Sequence, residues 1–512
     1  MVVLSKVFPN TYRDSVLLMK MASLVRGMEG VINGEVMLAT EPNKDILSKT
    51  QLLTEEVKQA RNNDLVICVL AENAETAERA IQEAEEMVLR GTVDEHTKQS
   101  ARSMNSAFAM LPDANLALLS IPGLHVRKEA MKALKKGLNV MIFSDNVPLE
   151  HEIEIKRMAA ERELLAMGPD CGTAIINGIA LGFANKVRRG PIGLVGASGT
   201  GLQEVSVLLH HLGTGISHAL GTGSSDVSDQ VGGIAMIQGI KLLQADPATQ
   251  IITVVSKPAA PRTMKRVLDQ LKQCTKLVIA NFLGEYRECL QKDNVIFTVT
   301  LEETALKAAE KVSQGVQGKA FSIAAPERSG QEAARLADGQ KYIRGLFSGG
   351  TLATEACIVM RDMMPAISAN ISLSGITRLA DSKKSQGHCI VDLGADEFTT
   401  GKPHPMLEPE MRKERLLEEA QDPEVAVVLM DFVLGYGSHP DPVRATLPFI
   451  RMARQRARER GYYLPVIGSV CGTDEDPQNR SAQISLLEEQ GIVVLPSNAD
   501  AARFAAMIAL RS

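Results

Sequence analysis

The chain has 512 residues, which at roughly 150 residues per domain calls for about three to four domains. Its 56 Lys+Arg against 61 Asp+Glu leave a net charge of −5, and no segment is strongly basic, so the electrostatic footprint of a nucleic-acid binder is missing. With 4% aromatics and no tryptophan there is little material for a base-stacking platform.

A content of 45% hydrophobic and 23% charged residues is that of an ordinary globular protein. No apolar run reaches the roughly 18 residues of a membrane span, and Met1–Lys6 lacks the apolar core of a signal peptide. The seven cysteines are widely spaced and form no CxxC pair. The sequence therefore leads us to expect no disulfide framework, no metal site and a reducing, cytoplasmic setting.

In chain order, Leu65–Leu70, Leu116–Ile121, Val140–Phe143, Ile192–Val195, Ile251–Val255, Leu277–Ala280, Val425–Met430 and Leu464–Ile467 are short apolar runs rich in Val, Ile and Leu. Each reads as a strand buried on both faces. Amphipathic stretches such as Glu75–Arg90 and Val126–Lys136 lie between them. This rhythm predicts parallel sheets and an α/β fold. Composition places an α/β domain at 1–105, a Rossmann-type domain at 106–188, a third domain at 189–312, a polar linker at 313–341 and a last domain at 342–512.

The chain also repeats itself. Pro191–Glu204 and Tyr342–Glu355 each read as strand, glycine-rich turn and helix. Aligned on the glutamates, Gly199-Thr200 falls on Gly350-Thr351. A second glycine turn follows each helix, Leu220–Asp226 and Asp392–Asp396, and then an Asp-Pro pair before an apolar strand, Asp246-Pro247 and Asp422-Pro423. Three matched features in one order indicate two related units packed as a pseudo-symmetric pair.

A helix start carries unpaired N–H groups and partial positive charge, and glycines let the backbone close around an anion. Gly196–Gly201 thus has the makings of a phosphate or carboxylate cradle, although such a turn also serves as a plain strand–helix connection. It is neither a P-loop nor GxGxxG. Thr200 with Gln203 fits a capping box. In a pseudo-twofold pair the two helix starts would converge on one anion.

Gly168–Thr173 follows an apolar stretch at what would be a strand's carboxyl end, where open α/β sheets bind ligands. There Asp170 and Cys171 are candidate substrate-binding residues, as are Asp226 and Asp392 in the second glycine turns. Lys257, at the end of the Ile251 strand, is placed to pair with an anion. His404, between two prolines, is a candidate acid or base. Both are candidate catalytic residues, with a surface position as the plain alternative for His404.

Gly168–Cys171, Gly193–Thr200, Gly221–Asp226 and Asp246-Pro247 resemble, in that order, the α subunit of succinyl-CoA synthetases. Tyr342–Glu355, Ile390–Ala395 and Asp422–Gly437 resemble the carboxy-terminal part of the β subunit. The whole chain resembles the FdrA family, in which these parts are fused. Asn10–Ser15, Phe143–Asn146, Gly401–Met406 and Gly472–Asp474 are FdrA-like features outside the shared core.

The resemblance implies several parallel-sheet Rossmann- or flavodoxin-like domains: a CoA-binding-like Rossmann-type domain at 106–188 and two pseudo-repeated ligase domains, α-like at 189–312 and like the carboxy-terminal part of the β subunit at 342–512. It implies phosphate cradles at Ser198, Gly199, Thr200 and Gly201 and at Ser348, Gly349, Gly350 and Thr351.

The departures narrow the activity. The stretch matching the synthetase's phosphohistidine loop, Leu277–Cys289, holds no histidine. No ATP-grasp segment is present, and the synthetase's early CoA turn has no clear match before Leu116, so CoA is not secured as a cofactor. What the resemblance then implies is transfer from an acyl or carbamoyl phosphate to an acceptor, of the oxamate carbamoyltransferase type. That activity would involve partner subunits and an oligomeric assembly but no nucleic acid and no membrane. An acyl-CoA synthetase subunit completed by a partner chain, and a non-catalytic metabolite-binding subunit, are the alternatives.

Overall fold

The computed structural model describes residues 1–11, 15–90, 101, 103–284, 294–313, 326–364, 366–400 and 402–511. It forms two compact units, Met1–Ala101 and Arg102–Ser512.

In the first unit, Leu65–Ala71 is the middle strand of three and pairs antiparallel with both Val2–Phe8 and Val31–Leu38. The expectation of a parallel sheet fails here. The helix Ser15–Arg26 carries the chain from the first strand to a parallel second one, and the antiparallel third strand fills the gap between them, a split βαβ arrangement. Leu18, Met21 and Val25 of that helix pack with Ile67 and Val69 of the strand and with Ala77, Ala80 and Ala84 of the helix Ala74–Arg90. The compact units divide after Ala101, where the sequence places a boundary near residue 105.

The second unit holds two seven-stranded sheets and one of three strands. The small sheet is parallel and runs Leu116–Leu119, Asn139–Ile142, Ala166–Met167. Leu116–Leu119 is its edge strand, so it is not buried on both faces as its composition suggests; Leu118 is 47% exposed.

In the first large sheet, Arg189–Gly196 is the central strand. Ile216–Gly221 pairs with one side of it, and Ile251–Ser256, Leu277–Phe282 and Val295–Phe297 follow on the other, all parallel. Thr173–Ile176 and Ile179–Gly182 extend the edge as an antiparallel hairpin. The expected boundary at 188/189 therefore falls inside a sheet, because the hairpin binds to the later strands rather than to the small sheet that precedes it.

The second large sheet repeats that order. Tyr342–Phe347 is central, His388–Asp392 lies on one side, and Val425–Val433, Val466–Cys471 and Val493–Leu495 follow on the other. In the second sheet two further short parallel strands, Ile367–Ala369 and Thr377–Arg378, extend the edge beyond His388–Asp392. The five strands common to both sheets have the 2-1-3-4-5 order of flavodoxin-like folds, which places a topological switch, and hence a ligand crevice, at the carboxyl end of the central strand. The sequence repeat is thus a structural repeat. Part of the expected linker is ordered: Pro326–Ala333 is a helix, and the Gln340 amide donates to the carbonyls of Val425 and Tyr463. Residues 314–325 lie outside the described residues.

Candidate functional site: two facing helix starts

Each central strand runs into a glycine turn and a helix, Gly199–His211 in the first half and Gly350–Arg361 in the second. The turns need glycine because they press against neighbouring backbone; a side chain on Gly196 would overlap the Val255 carbonyl.

The two starts meet. Ser198 Oγ and Thr351 Oγ1 are hydrogen-bonded at 2.8 Å and buried. Reciprocally, a Cβ on Gly349 would stand 3.0 Å from Thr200 Cγ2. Under the repeat alignment Ser198 matches Gly349 and Thr200 matches Thr351, so these are symmetry-equivalent contacts about a pseudo-twofold.

The same symmetry is written in the glutamates. Glu204 accepts the N–H of Asn498 at 3.1 Å, the first residue of the helix Asn498–Leu510 in the second half. Glu355 accepts the N–H of Leu301 at 2.6 Å, the first residue of the helix Leu301–Val312 in the first half. Each half thus supplies a carboxyl group that accepts a hydrogen bond from a helix start of the other. Burial, with Glu204 alongside, pushes the Glu355 carboxyl up to about 8.

Neither N-cap makes a side-chain capping bond. The capping box expected of Thr200 and Gln203 does not form: the helix begins two residues earlier, with Ser198 as its N-cap, and Gln203 is buried, donating to Asn185 Oδ1 and the Leu434 carbonyl. The N–H groups of Gly199, Thr200 and Gly201, and of Gly350, Thr351 and Leu352, lie in the first turns, where no intrahelical acceptor exists. At the carboxyl ends of the first sheet's strands, Thr222 Oγ1, Ser256 Oγ and Asn281 Oδ1 are buried without a hydrogen-bond partner.

The second turn is partly filled from within. Asp431, at the end of the strand Val425–Val433, accepts the N–H groups of Ser348 and Gly349, each at 2.8 Å, and the Ser348 hydroxyl. Arg412 donates to the Asp431 carboxylate at 3.2 Å and to its carbonyl at 2.6 Å. Burial pushes the Asp431 carboxyl up, while Arg412 and these N–H groups pull it back. Ser348 and Gly349, expected to face an anion, spend their N–H groups on this internal carboxylate. The sequence signal was one acidic residue at the end of the apolar run Val-Ala-Val-Val-Leu-Met, whose partners lie about 80 residues away.

Asp392 ends the strand His388–Asp392, and its carboxylate stands against the start of the second helix, where a Cβ on Gly350 would collide with Oδ2. Burial raises its carboxyl to about 6, against the pull of the Gly394 N–H and of the Lys257 charge. Lys257 is exposed, and its charge also acts on Asp170. Asp170 accepts the Ser224 hydroxyl. Its surface is open, but the protein mass around it holds the carboxyl above its ordinary value.

His404 points inward rather than to solvent. Its Nδ1 accepts the Met406 N–H at 3.1 Å, its ring lies 6.3 Å from that of Phe183 in the first half, and a Cβ on Gly394 would stand 2.5 Å from Nε2. Burial lowers it to about 4, so near neutrality the ring is uncharged with its proton on Nε2. In that state Nε2–H can donate a hydrogen bond.

Two other candidates are structural. Asp226 is fully buried, pairs with buried Lys156 at 2.9 Å and accepts the N–H groups of Ala235 and Met236. Its carboxylate is spent on a helix start. Cys171 is buried, its thiol faces the Gly221 carbonyl at 3.3 Å, and burial pushes it up to about 12; it packs rather than reacts.

Comparison with known proteins places this geometry. A CoA-ligase family model matches residues 346–508 and a CoA-binding-domain model matches 187–280, one on each half of the repeat. A third, "AllF, heavy metal-associated domain", matches 1–106. The succinate–CoA ligase [ADP-forming] α subunit of Methanothermobacter thermautotrophicus is 25% identical over 175 residues, 34% of this chain and 58% of that subunit. Among solved structures, the Ca. Korarchaeum cryptofilum acetyl-coenzyme A synthetase 1 in complex with phosphate and ADP covers 78% of this chain and 83% of its own, at 16% identity and a TM-score of 0.28.

The two family matches and the likeness to the ligase α subunit define a protein with succinyl-CoA-synthetase-like CoA-ligase and CoA-binding domains. The uncharacterized protein YahF of Escherichia coli (strain K12) is 42% identical over 494 residues, 96% of this chain and 95% of that protein. The chain belongs to the YahF family, which is FdrA-like.

Among the described residues of the first domain, no group of side chains fits the heavy-metal description. Residues 1–106 contain one cysteine, Cys68, and one histidine, His96. Cys68 is buried in mid-strand with its thiol raised to about 12, and no metal-holding cluster occurs among the described residues. Among the described residues no helix is long and apolar enough to cross a membrane.

Proposed function

We propose that this chain handles an acyl phosphate, gripping its phosphoryl group at the facing starts of Gly199–His211 and Gly350–Arg361. It would transfer the acyl group, carbamoyl in the reading its FdrA-like character favours, to an acceptor nitrogen. The observation that carries this reading is the convergence of two uncapped helix starts in a sequence whose Leu277–Cys289 stretch has no histidine to carry a phosphoryl group.

The first-turn N–H groups would hold the phosphate and stabilise the charge it gains as it departs. The acceptor nitrogen attacks the carbonyl carbon, the carbon–oxygen bond to phosphate breaks, and its electron pair leaves with the phosphate. The proton released by the nitrogen passes to Asp392, whose value of about 6 suits a base working near neutral pH. Lys257 holds Asp392 ionised and offsets repulsion between it and the phosphate, and His404 Nε2–H is available to the acyl oxygen.

The CoA-binding and CoA-ligase matches favour a second reading, an acid–CoA ligase subunit. The Gly199–Gly201 N–H groups fit a phosphoryl group of either an acyl phosphate or CoA, and CoA when bound would supply a thiol acceptor.

A thermal-shift screen separates the readings, since a ligand stabilises only what it binds. Carbamoyl phosphate should raise Tm in the wild type and not in Gly199→Val. A shift with CoA and none with carbamoyl or acetyl phosphate would replace the first reading with the second, and no shift with any of them would leave a non-catalytic subunit.

A further inference from the structure

We infer that the second large sheet carries a separate oxyanion site at its amino-terminal edge, suited to a small molecule bearing two or more phosphate charges. A cavity of about 680 Å³ opens there, a volume typical of small-molecule sites. Arg335, Arg454, Arg458 and Tyr463 are among its lining residues, with the backbone of Gly461 and Gly491. Tyr463 and Leu464 precede the strand Val466–Cys471, and Gly491 precedes Val493–Leu495. The facing helix starts lie at the other ends of these parallel strands, so the two sites occupy opposite edges of one sheet.

The cavity gathers three arginines around one carboxylate, Glu332, so its positive charge is only partly neutralised. Arg454 is anchored by three backbone carbonyls, those of Leu464 at 3.3 Å, Gln490 at 2.5 Å and Gly491 at 3.1 Å. These are neutral acceptors, so the counter-charge near Arg454 comes from Glu332, which it shares with Arg335. Arg335 lies flat on the Tyr463 ring, its guanidinium carbon 3.6 Å from the centroid, which fixes the orientation of its fork. Arg458 is exposed and forms no ion pair within 4 Å among the described residues.

Glu332 is the nearby carboxylate, and it is shared: it accepts the Tyr463 hydroxyl at 2.7 Å and meets Arg335 at 3.4 Å. Burial lowers Arg454; Tyr463 and Glu332 pull it back up, and the charges of Arg335 and Arg458 push it down again. One carboxylate thus serves three guanidinium groups, and a bound anion would relieve their mutual repulsion. Planar guanidinium forks match phosphate oxygens two at a time. The stacking of Arg335 covers one face of Tyr463, and the Tyr462 hydroxyl is tied to the Ala420 carbonyl. The recognition is therefore of charge rather than of a stacked base.

The test uses the full chain and inorganic pyrophosphate as probe, with arginine modification by phenylglyoxal mapped by peptide mass spectrometry. Pyrophosphate at about ten times its half-protecting concentration should slow modification of Arg335 and Arg458 about tenfold. It should leave Arg262, an exposed arginine on the helix Pro261–Leu271, unchanged. Protection should persist in Gly199→Val, which separates this site from the facing helix starts. Three results would overturn the assignment: no protection, equal protection by sodium chloride at matched ionic strength, or protection by citrate without protection by pyrophosphate.

Discussion

Ser198 and Thr351, 153 residues apart in sequence, share a buried hydrogen bond of 2.8 Å that ties the first turn of one helix to the first turn of its repeat. Two like-signed helix ends pressed together repel one another. The structure holds them with this bond, with the Glu204 and Glu355 exchange behind them, and with Asp431 at the second turn.

Gly201 guards that junction. A methyl group there would collide with Ser198 Oγ and stand 2.9 Å from Thr351 Cγ2. Gly201→Ala should cost about 1–3 kcal/mol through overpacking. At Gly199 the nearest atom to an added Cβ is Thr173 Oγ1 at 3.3 Å, so Gly199→Ala should change stability by less than about 1 kcal/mol. Denaturant titration of the two variants checks the contrast.

Asp431→Asn should be among the more damaging single substitutions. It leaves Arg412, only 2% exposed at its side chain, as a buried charge without its counter-charge, a loss of about 3–5 kcal/mol. Arg412→Met combined with Asp431→Asn should recover part of it. A double variant no more stable than Asp431→Asn alone would show that the nest, not the pair, matters.

His404 gives a pH signature. Folded, it titrates at about 4 rather than 6.5. Between those values the unfolded chain takes up a proton that the folded chain refuses. The stability associated with this ring is present above pH 6.5 and is lost as the pH falls toward 4. Allowing for its partial exposure, the loss is about 1–2 kcal/mol. Unfolding curves from pH 4 to 7 should therefore fall more steeply on the acid side for the wild type than for His404→Gln.

Lys257 acts on Asp392 through charge alone. Its replacement in Lys257→Gln should raise Asp392 above about 6 and move the acid limb of any acyl-transfer rate profile to higher pH. An unmoved limb would remove Asp392 as the base.

The α/β alternation and the repeat were legible because both rest on local pattern: apolar runs of strand length, glycine turns and Asp-Pro pairs in matching order. What escaped was pairing across distance. Nothing local marks Asp226 as the partner of Lys156, 70 residues away, or Asp431 as the filler of the Ser348 turn, 83 residues away. Acidic residues near glycine turns read alike in sequence, yet Asp226 and Asp431 are consumed internally while Asp392 sits raised at the site. The first unit misled for a related reason: the apolar run Leu65–Ala71 is buried on both sides in an antiparallel sheet as fully as in a parallel one.

The central claim is that the first-turn amides of both helices grip one phosphoryl group. Hydrogen exchange read by mass spectrometry reports on those amides directly. Without ligand they have no intrahelical acceptor and should exchange quickly. With saturating carbamoyl phosphate, peptides covering Gly199–Leu202 and Gly350–Ala353 should both slow by about tenfold or more. Unchanged exchange in both peptides, while the ligand binds elsewhere on the chain, would contradict the account.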